Sequence, residues 1–284
     1  MTESTRPLVD RSLPLHEQEA ILSKDHNKGL HRTHGTVREI IEVTRELVRV
    51  VVHIDGLSDD PQWSRPNVSL RIHLSDGAEP LSRIYTVRAA DVRAETIDID
   101  VVRHGESSPM MRWLDRLRLG DDIPMVGPRP HFQFPAGEGR ELLLFADSTA
   151  IPALYSLLAQ MPAGTRARGW VATSDLVAFE ELPIISGLTL ERLVPGTGFA
   201  EQLALFSAGA QVVVWGAGER DEMRAVRSHF RNEVGAPKDD VAVYGYWKRG
   251  TSNTKIDEAR LRAYEVLLAE GGTVTELDDL ALPI

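Results

Sequence analysis

From residue 36 to about 134 the apolar positions come in short runs with a period near two. "TVREIIEV", "ELVRVVVHID", "NVSLRIHL", "SRIYTVRA" and "TIDIDVVRH" are rich in β-branched residues and roughly alternating, the signature of strands buried on one face. The clearest alternation places Ile97, Ile99 and Val101 on a single face. Turn-forming stretches, "DGLSDDP" at 55–61 and "SDGAEP" at 75–80, punctuate the runs. Strands at this spacing predict a small antiparallel barrel.

Beyond "GRELLLF" the pattern changes. "ELLLFAD" (141–147) is continuously apolar and leads into a helical stretch, "PALYSLLAQM", while "ARGWVAT", "LTLERLV", "QVVVWGAG" and "DVAVYGYW" repeat the theme with helices between them, notably "ERDEMRAVRSHFRNEV". Apolar strands alternating with helices predict a parallel sheet covered on both faces. "GPRPHFQFPAGEG" (127–139) reads as the junction, and "IDEARLRAYEVLLAE" (256–270) as a helix after the last strand. The expected division is an N-terminal extension (1–34), a barrel domain (35–136), an α/β domain (137–250) and a C-terminal helix and tail (251–284). In such an α/β sheet, ligands sit at the carboxyl ends of the strands. The loops Asp147–Pro152, Gly216–Gly218 and Tyr246–Gly250 are expected to meet there, facing a cleft between the domains.

Composition narrows the chemistry. A formal net charge of −10 argues against a general nucleic-acid binder. The absence of cysteine excludes disulfides, thiolate metal sites and a cysteine nucleophile. No apolar run approaches the ~20 residues that span a bilayer, so no membrane insertion is expected. The polar N-terminal stretch lacks the apolar core of a signal peptide, and a cytoplasmic location is the simplest expectation. Residues 1–34 hold four of the nine histidines; His31 and His34 are spaced for one helical turn, either as metal ligands or as solvated side chains.

The candidate ligand residues each admit two readings. "SRIYTVRAAD" (82–91) puts Arg83 and Tyr85 on one face and Thr86 and Arg88 on the other. That suits a ligand with both a phosphate and a flat ring, or an ordinary strand whose arginine meets a carboxylate. In "WGAGERDEMRAV", Gly216 and Gly218 follow a strand, but Asp221 stands where a dinucleotide fingerprint has its third glycine. In "ADSTAIPAL", Thr149 or Ser148 can cap a helix that Pro152 opens. His104 is either a turn residue or a base. Arg129, Lys248 and Arg249 form either a local anion site or an ion-paired surface.

Together these segments resemble the siderophore-interacting protein family, flavin-dependent ferric-siderophore reductases related to the ferredoxin-reductase superfamily. The resemblance runs over roughly residues 36–250 and rests on "RIYTVR" (83–88), "VVRHGESSPMMRWLDRLRLGDDIPMVGPR" (101–129), "LLLFADSTAIPAL" (142–154), "VVVWGAGERDEMRAVRSHF" (212–230) and "YGYWKRG" (244–250). It implies an FAD-binding barrel followed by a nicotinamide-type, ferredoxin-reductase-like domain. Electrons would pass from NADPH or NADH, or from ferredoxin, through FAD to the Fe(III) of a siderophore, releasing Fe(II). Arg83 would face phosphate, Tyr85 would pack on the isoalloxazine and Thr86 would hydrogen-bond the flavin edge. His104 and Gly105 match a turn beside the cofactor, and Asp147, Thr149 and Ala150 a loop under it. Gly216, Ala217, Gly218 and Glu219 match a nicotinamide-side turn; Arg129, Trp247, Lys248 and Arg249 would meet the chelate. The resembled phosphate loop has a glycine where this chain has Ser108, and a serine where it has Met111. Ser107, Ser108, Met110, Met111 and Arg112 are the residues left to take its place. The implied alternatives are a general flavin reductase or diaphorase, and a non-catalytic ferric-siderophore binder that has lost flavin.

Overall fold

The computed structural model describes residues 31–74, 81–103, 108–130, 134, 139–251 and 255. His104, Gly105, Ser107, most of the N-terminal extension and the helix expected at 256–270 lie outside the described residues.

Six strands close an antiparallel barrel: β1 (His31–Glu42), β2 (Leu47–His53), β3 (Val68–Leu74), β4 (Leu81–Asp91), β5 (Thr96–Val102) and β6 (Asp122–Pro130), in the spatial order β1-β2-β5-β4-β3-β6. The predicted inward face of β5 is as read from the alternation, with Ile97, Ile99 and Val101 at most 1% exposed. Helix α1 (Pro109–Arg116) plugs the barrel with Met110, Met111 and Leu114, which join the cluster formed by the strands. β1 takes in part of the segment expected to be an appendage. His31 and His34 therefore lie on a strand, where an odd spacing turns them to opposite faces, and not on a helical turn. His34 Nδ1 sits 2.8 Å from Asp122 Oδ2 across the β1–β6 pair.

The second domain is a parallel sheet of β7 (Glu141–Asp147), β8 (Ala167–Ala172), β9 (Leu188–Leu193), β10 (Val212–Glu219) and β11 (Val241–Trp247), ordered β11-β10-β7-β8-β9. Helices α2 (Ile151–Ala159), α3 (Leu176–Glu180), α4 (Ala200–Leu203) and α5 (Arg220–Ser228) connect them. The apolar runs are buried on both sides. Leu142, Leu144 and Ala146 pack with α2, whereas Leu143 and Phe145 pack with α5. Trp215 and Phe145 are fully buried, and truncating either to alanine costs about 3–5 kcal/mol. Strand order reverses between β7 and β10, so their carboxyl ends flank the switch point where such folds bind ligands.

The domains meet along the outer face of β2, β4 and β5. Arg49 grips Asp100 through Nε and Nη2 at 2.7 and 3.1 Å and reaches Glu181 at 2.7 Å. Arg88 donates to the same Glu181 oxygen at 2.9 Å and lays its guanidinium 3.4 Å from the centre of the Tyr155 ring. Asn67 donates its backbone N–H to Ser156 Oγ at 3.3 Å, and Thr44 Oγ1 donates to Asp175 at 2.7 Å. Each domain contributes residues to every one of these contacts except Arg49–Asp100, so the seam is polar and specific.

Candidate flavin site at the domain seam

The sheet's carboxyl ends converge on Asp147, the last residue of β7. The residue is 8% exposed, and its carboxylate accepts four hydrogen bonds: from Thr149 N and Oγ1 at 2.8 and 2.6 Å, from Glu219 N at 2.8 Å and from Trp247 Nε1 at 2.7 Å. The loops after β7, β10 and β11 are thus tied together, as their positions in the sequence predict. Burial pushes the Asp147 carboxyl above the usual range, and these donors hold the rise in check.

This arrangement corrects several readings of the sequence. Thr149 does not cap α2. It sits in a short 3-10 turn, Ser148–Ala150, that Asp147 caps, and α2 has no side-chain cap. Ala150 is fully buried and the Asp147 carboxylate is taken up by its four donors, whereas Thr149 keeps accessible surface. Gly216, Ala217 and Gly218 are buried within β10. A Cβ on Gly216 would come within 3.2 Å of Met223 Sδ, and one on Gly218, whose φ is +150°, within 2.7 Å of the Asp147 carboxyl. Glu219, 4% exposed, turns its carboxylate onto the start of α5, accepting from Asp221 N at 2.7 Å and Glu222 N at 3.1 Å. A helix N-terminus whose amides are already taken by a carboxylate is no cradle for a pyrophosphate. These glycines serve close packing, and Glu219 is a cap.

The barrel side of the site lies on β4. Leu81, Tyr85 and Val87 lean on the barrel cluster, while Thr86 and Arg88 turn toward the α/β domain. Arg83, Tyr85 and Thr86 are all half-buried, and Ile84 between them is 49% exposed. Arg83 donates to the Ser82 carbonyl at 2.7 Å. Burial pushes the Tyr85 phenol up, and the Arg83 charge opposes the rise, so the phenol keeps its proton across the neutral range. At the mouth of the barrel Ser108 caps α1 by accepting from Met111 N at 3.2 Å, and no acidic residue occupies the helix's first turn. Met110 and Met111 are 5% and 7% exposed and their side chains face the core, so a contact with a cofactor would have to come from their backbone.

The donor set suits FAD. A guanidinium and an acid-free helix start favour phosphate, a half-buried phenol ring favours a flat heterocycle, and the Thr86 hydroxyl can bond to its edge. On the opposite side, Trp247 is half-buried and anchored through its indole N–H, whereas Lys248 and Arg249 are ion-paired: Lys248 Nζ lies 3.6 Å from Asp221 and Arg249 Nη2 3.7 Å from Glu222. Arg249 also donates its backbone N–H to Glu219 Oε1 at 3.1 Å. Glu222 is pushed up by burial and by the charges of Asp147 and Glu219, with Arg249 opposing. Arg129 lies half-buried on β6, opposite Ser69 of β3. The sequence reading passed over Asn67, Tyr155, Asp221, Glu222 and Tyr246, all of which bear on this region. In the sequence Asp221 stands out only as a missing glycine, Tyr246 only as the start of a loop within "YGYWKRG", and Asn67 carries no signal.

Comparisons with known proteins agree with this architecture. The family model described as siderophore-interacting protein matches residues 139–250, and the siderophore-interacting FAD-binding domain matches residues 70–132. A relative named ferric acinetobactin reductase, from Acinetobacter baumannii, is 32% identical over 267 residues, covering 91% of this chain and 93% of that one. The solved siderophore-interacting protein of the same organism aligns with a TM-score of 0.78 at 29% identity, covering 84% of this chain and 99% of that one. The fold extends to the ferredoxin-NADP+ reductase of Plasmodium falciparum, with a TM-score of 0.55 at 13% identity over 71% of this chain and 92% of that one. With its barrel, its parallel sheet and the tie at Asp147 in place, the chain belongs to the siderophore-interacting protein family.

Proposed function

We propose that the protein is a flavin-dependent ferric-siderophore reductase. The observation that carries this reading is the placement of Arg83, Tyr85 and Thr86, half-buried on β4 beside the seam where the parallel sheet presents its carboxyl ends. Bound FAD would supply the redox chemistry, accepting two electrons from a reduced nicotinamide, or electrons from ferredoxin, and delivering them singly to chelated Fe(III). Arg83 holds phosphate, Tyr85 packs on the ring and Thr86 fixes its edge. The buried tie from Asp147 to Trp247 and Glu219 keeps the opposite wall rigid. Gly216–Glu219 support that wall from within, and Thr149 is the member of the β7–α2 loop that reaches the ligand.

The chelate meets Trp247, Lys248, Arg249 and Arg129. Long, partly exposed ion pairs such as those of Lys248 and Arg249 are worth about 0–1 kcal/mol, so an anionic chelate can compete for these cations. Reduction to Fe(II) lowers the charge on the metal and loosens its hold on hard oxygen ligands. The same ion pairs favour a second reading, a general flavin or ferric-chelate reductase without preference for siderophores. Among the described residues no helix is long and apolar enough to cross a membrane; a cytoplasmic location suits a nicotinamide donor.

The test is anaerobic mixing of FAD-loaded protein with NADH or NADPH, then with ferric siderophore, following bleaching and recovery of the flavin absorbance. Recovery faster with siderophores than with simple ferric chelates supports the first reading, and equal rates support the second. Protein that takes up no FAD would overturn both and leave a binding role.

A further inference from the structure

β2 ends on His53, whose side chain points out of the barrel because Val48, Val50 and Val52 take the inward positions. Asp55, two residues on, comes to the same side, and Gly56, at a φ of +74°, then turns the chain away. Across the β2–β5 pair His53 lies opposite Thr96, and Ile54 N donates to the Glu95 carbonyl at 2.8 Å. The turn before β5 thus delivers the Glu95 side chain to the same place. That turn is fixed by Asp91, whose Oδ1 accepts from Arg93 N at 2.9 Å and Ala94 N at 3.0 Å. One ring nitrogen of His53 and one carboxylate oxygen each from Asp55 and Glu95 lie within 4.8 Å of one another. Ser58 Oγ donates to Glu95 Oε1 at 3.1 Å, which leaves Oε2 turned to the imidazole.

The spacing separates this cluster from an ordinary ion pair. Where an imidazole of this protein simply meets a carboxylate, the two close to hydrogen-bond length: His34 to Asp122 at 2.8 Å and His229 to Glu233 at 2.9 Å. His53 stands off, with Nδ1 3.5 Å from Asp55 Oδ1 and Nε2 4.0 Å from Glu95 Oε2. Two ligands bonded to one ion at about 2.1 Å lie about 3–3.5 Å apart. His53 and Glu95 are half-buried and preset, while the wholly exposed Asp55 side chain can swing to complete the set. We propose that His53, Asp55 and Glu95 bind one divalent first-row transition ion, which clasps the end of β2 to the turn between β4 and β5. One imidazole with two carboxylates suits Zn2+ or Mn2+ better than Ca2+ or Mg2+, which take oxygen ligands. The site lies at the Asp91 end of β4, about 25 Å along the strand from Arg83, so it is independent of the flavin reading.

The experiment titrates the tag-free full-length protein, first stripped with EDTA, with Zn2+ and with Mn2+ by calorimetry, and follows thermal unfolding alongside. The wild type takes up one ion that His53→Gln does not. Zn2+ at about a hundredfold excess over its dissociation constant raises the wild-type unfolding temperature by about 5 °C and leaves that of His53→Gln in place. Ser58→Ala, which frees the Glu95 carboxylate to turn, weakens binding about 10-fold, and Asp55→Asn and Glu95→Gln weaken it further. His34→Gln, on the close imidazole–carboxylate pair of the same barrel, keeps the ion. FAD affinity is the same in His53→Gln as in the wild type, so loss of the ion and loss of the flavin are read separately. A wild type that takes up no ion, or a His53→Gln protein that responds as the wild type does, would overturn the site. Ca2+ or Mg2+ binding as tightly as Zn2+ would overturn its assignment to a transition ion. Should His53→Gln fail to fold, Asp55→Asn, on an exposed side chain, decides the matter, and unchanged uptake there overturns the site.

Discussion

Trp247 and Asp147 meet across the carboxyl ends of β11 and β7, the indole Nε1 donating to carboxylate Oδ2 over 2.7 Å. One residue ends the last strand of the sheet and the other ends the first. Their bond fixes the loop carrying Lys248 and Arg249 to the switch point of the fold.

Trp247→Phe leaves that carboxylate with one donor fewer in a buried place and destabilises the protein by about 1–3 kcal/mol. The Asp147 carboxyl titrates above the usual range in the fold, so its ionised form is carried at a cost at neutral pH, and that cost is relieved as pH falls through the raised value. The deficit of Trp247→Phe is therefore larger at neutral pH and shrinks in mild acid. Urea unfolding at several pH values measures it; a deficit independent of pH would detach the effect from Asp147.

The seam responds to acid in the opposite sense. Burial alone would push Glu181 up, but Arg49 and Arg88 pull its carboxyl below the usual range. A depressed acid contributes stability that is present above its unfolded pKa and lost as pH falls through the folded value. The contacts of Arg49 and Arg88 with Glu181 are expected to loosen below about pH 4, near the ordinary glutamate value. Glu181→Gln weakens the seam at neutral pH and flattens this acid dependence. Arg88→Ala costs about 3 kcal/mol, because it leaves Asp100 and Glu181 to share Arg49 alone. Limited proteolysis and thermal unfolding across pH read both effects.

The two glycines of the β10 run separate packing from cofactor binding. Gly218→Ala puts a methyl group against the fixed Asp147 carboxyl at a positive φ, and is expected to cost about 2–3 kcal/mol. Gly216→Ala meets first the Met223 sulfur, on a flexible side chain, and is expected to cost less. Both losses appear in the protein without any nicotinamide present. A Gly218→Ala protein of normal stability that nonetheless loses nicotinamide would restore the cradle reading.

These positions also show how much of the molecule its sequence reveals. The alternation of Ile97, Ile99 and Val101 places the barrel core correctly, and the apolar runs near 142–146 and 212–215 announce a sheet covered on both faces. The other face of β5 misleads, because an alternating strand reads as solvated on its polar side. Asp100 instead lies 4% exposed beneath Arg49 and Arg88, and only the second domain explains it. Gly-x-Gly followed by Glu219 has the look of a phosphate loop, since nothing local records that Asp147 fills the space. The motif at 83–86 was legible because one strand carries all three groups. Asn67 and Tyr246 were not, since 179 residues separate two partners that only folding brings together.

Arg83 gives the sharpest test of the flavin site. Its side chain is half-buried on β4, leaning on the Ser82 carbonyl, and it packs at the edge of the barrel rather than in its core. A guanidinium that meets phosphate through charge-assisted bonds contributes enough that Arg83→Ala is expected to weaken FAD binding about 10- to 100-fold. Arg83→Lys keeps the charge but not the two-pronged geometry, and falls between the two. Raised salt weakens the wild type more than the alanine variant, because only the wild type has that charge to screen. Fluorescence titration of the apoprotein with FAD at two ionic strengths gives all of these values. If Arg83→Ala binds FAD as tightly as the wild type and with the same salt dependence, the phosphate lies elsewhere and β4 does not seat the cofactor.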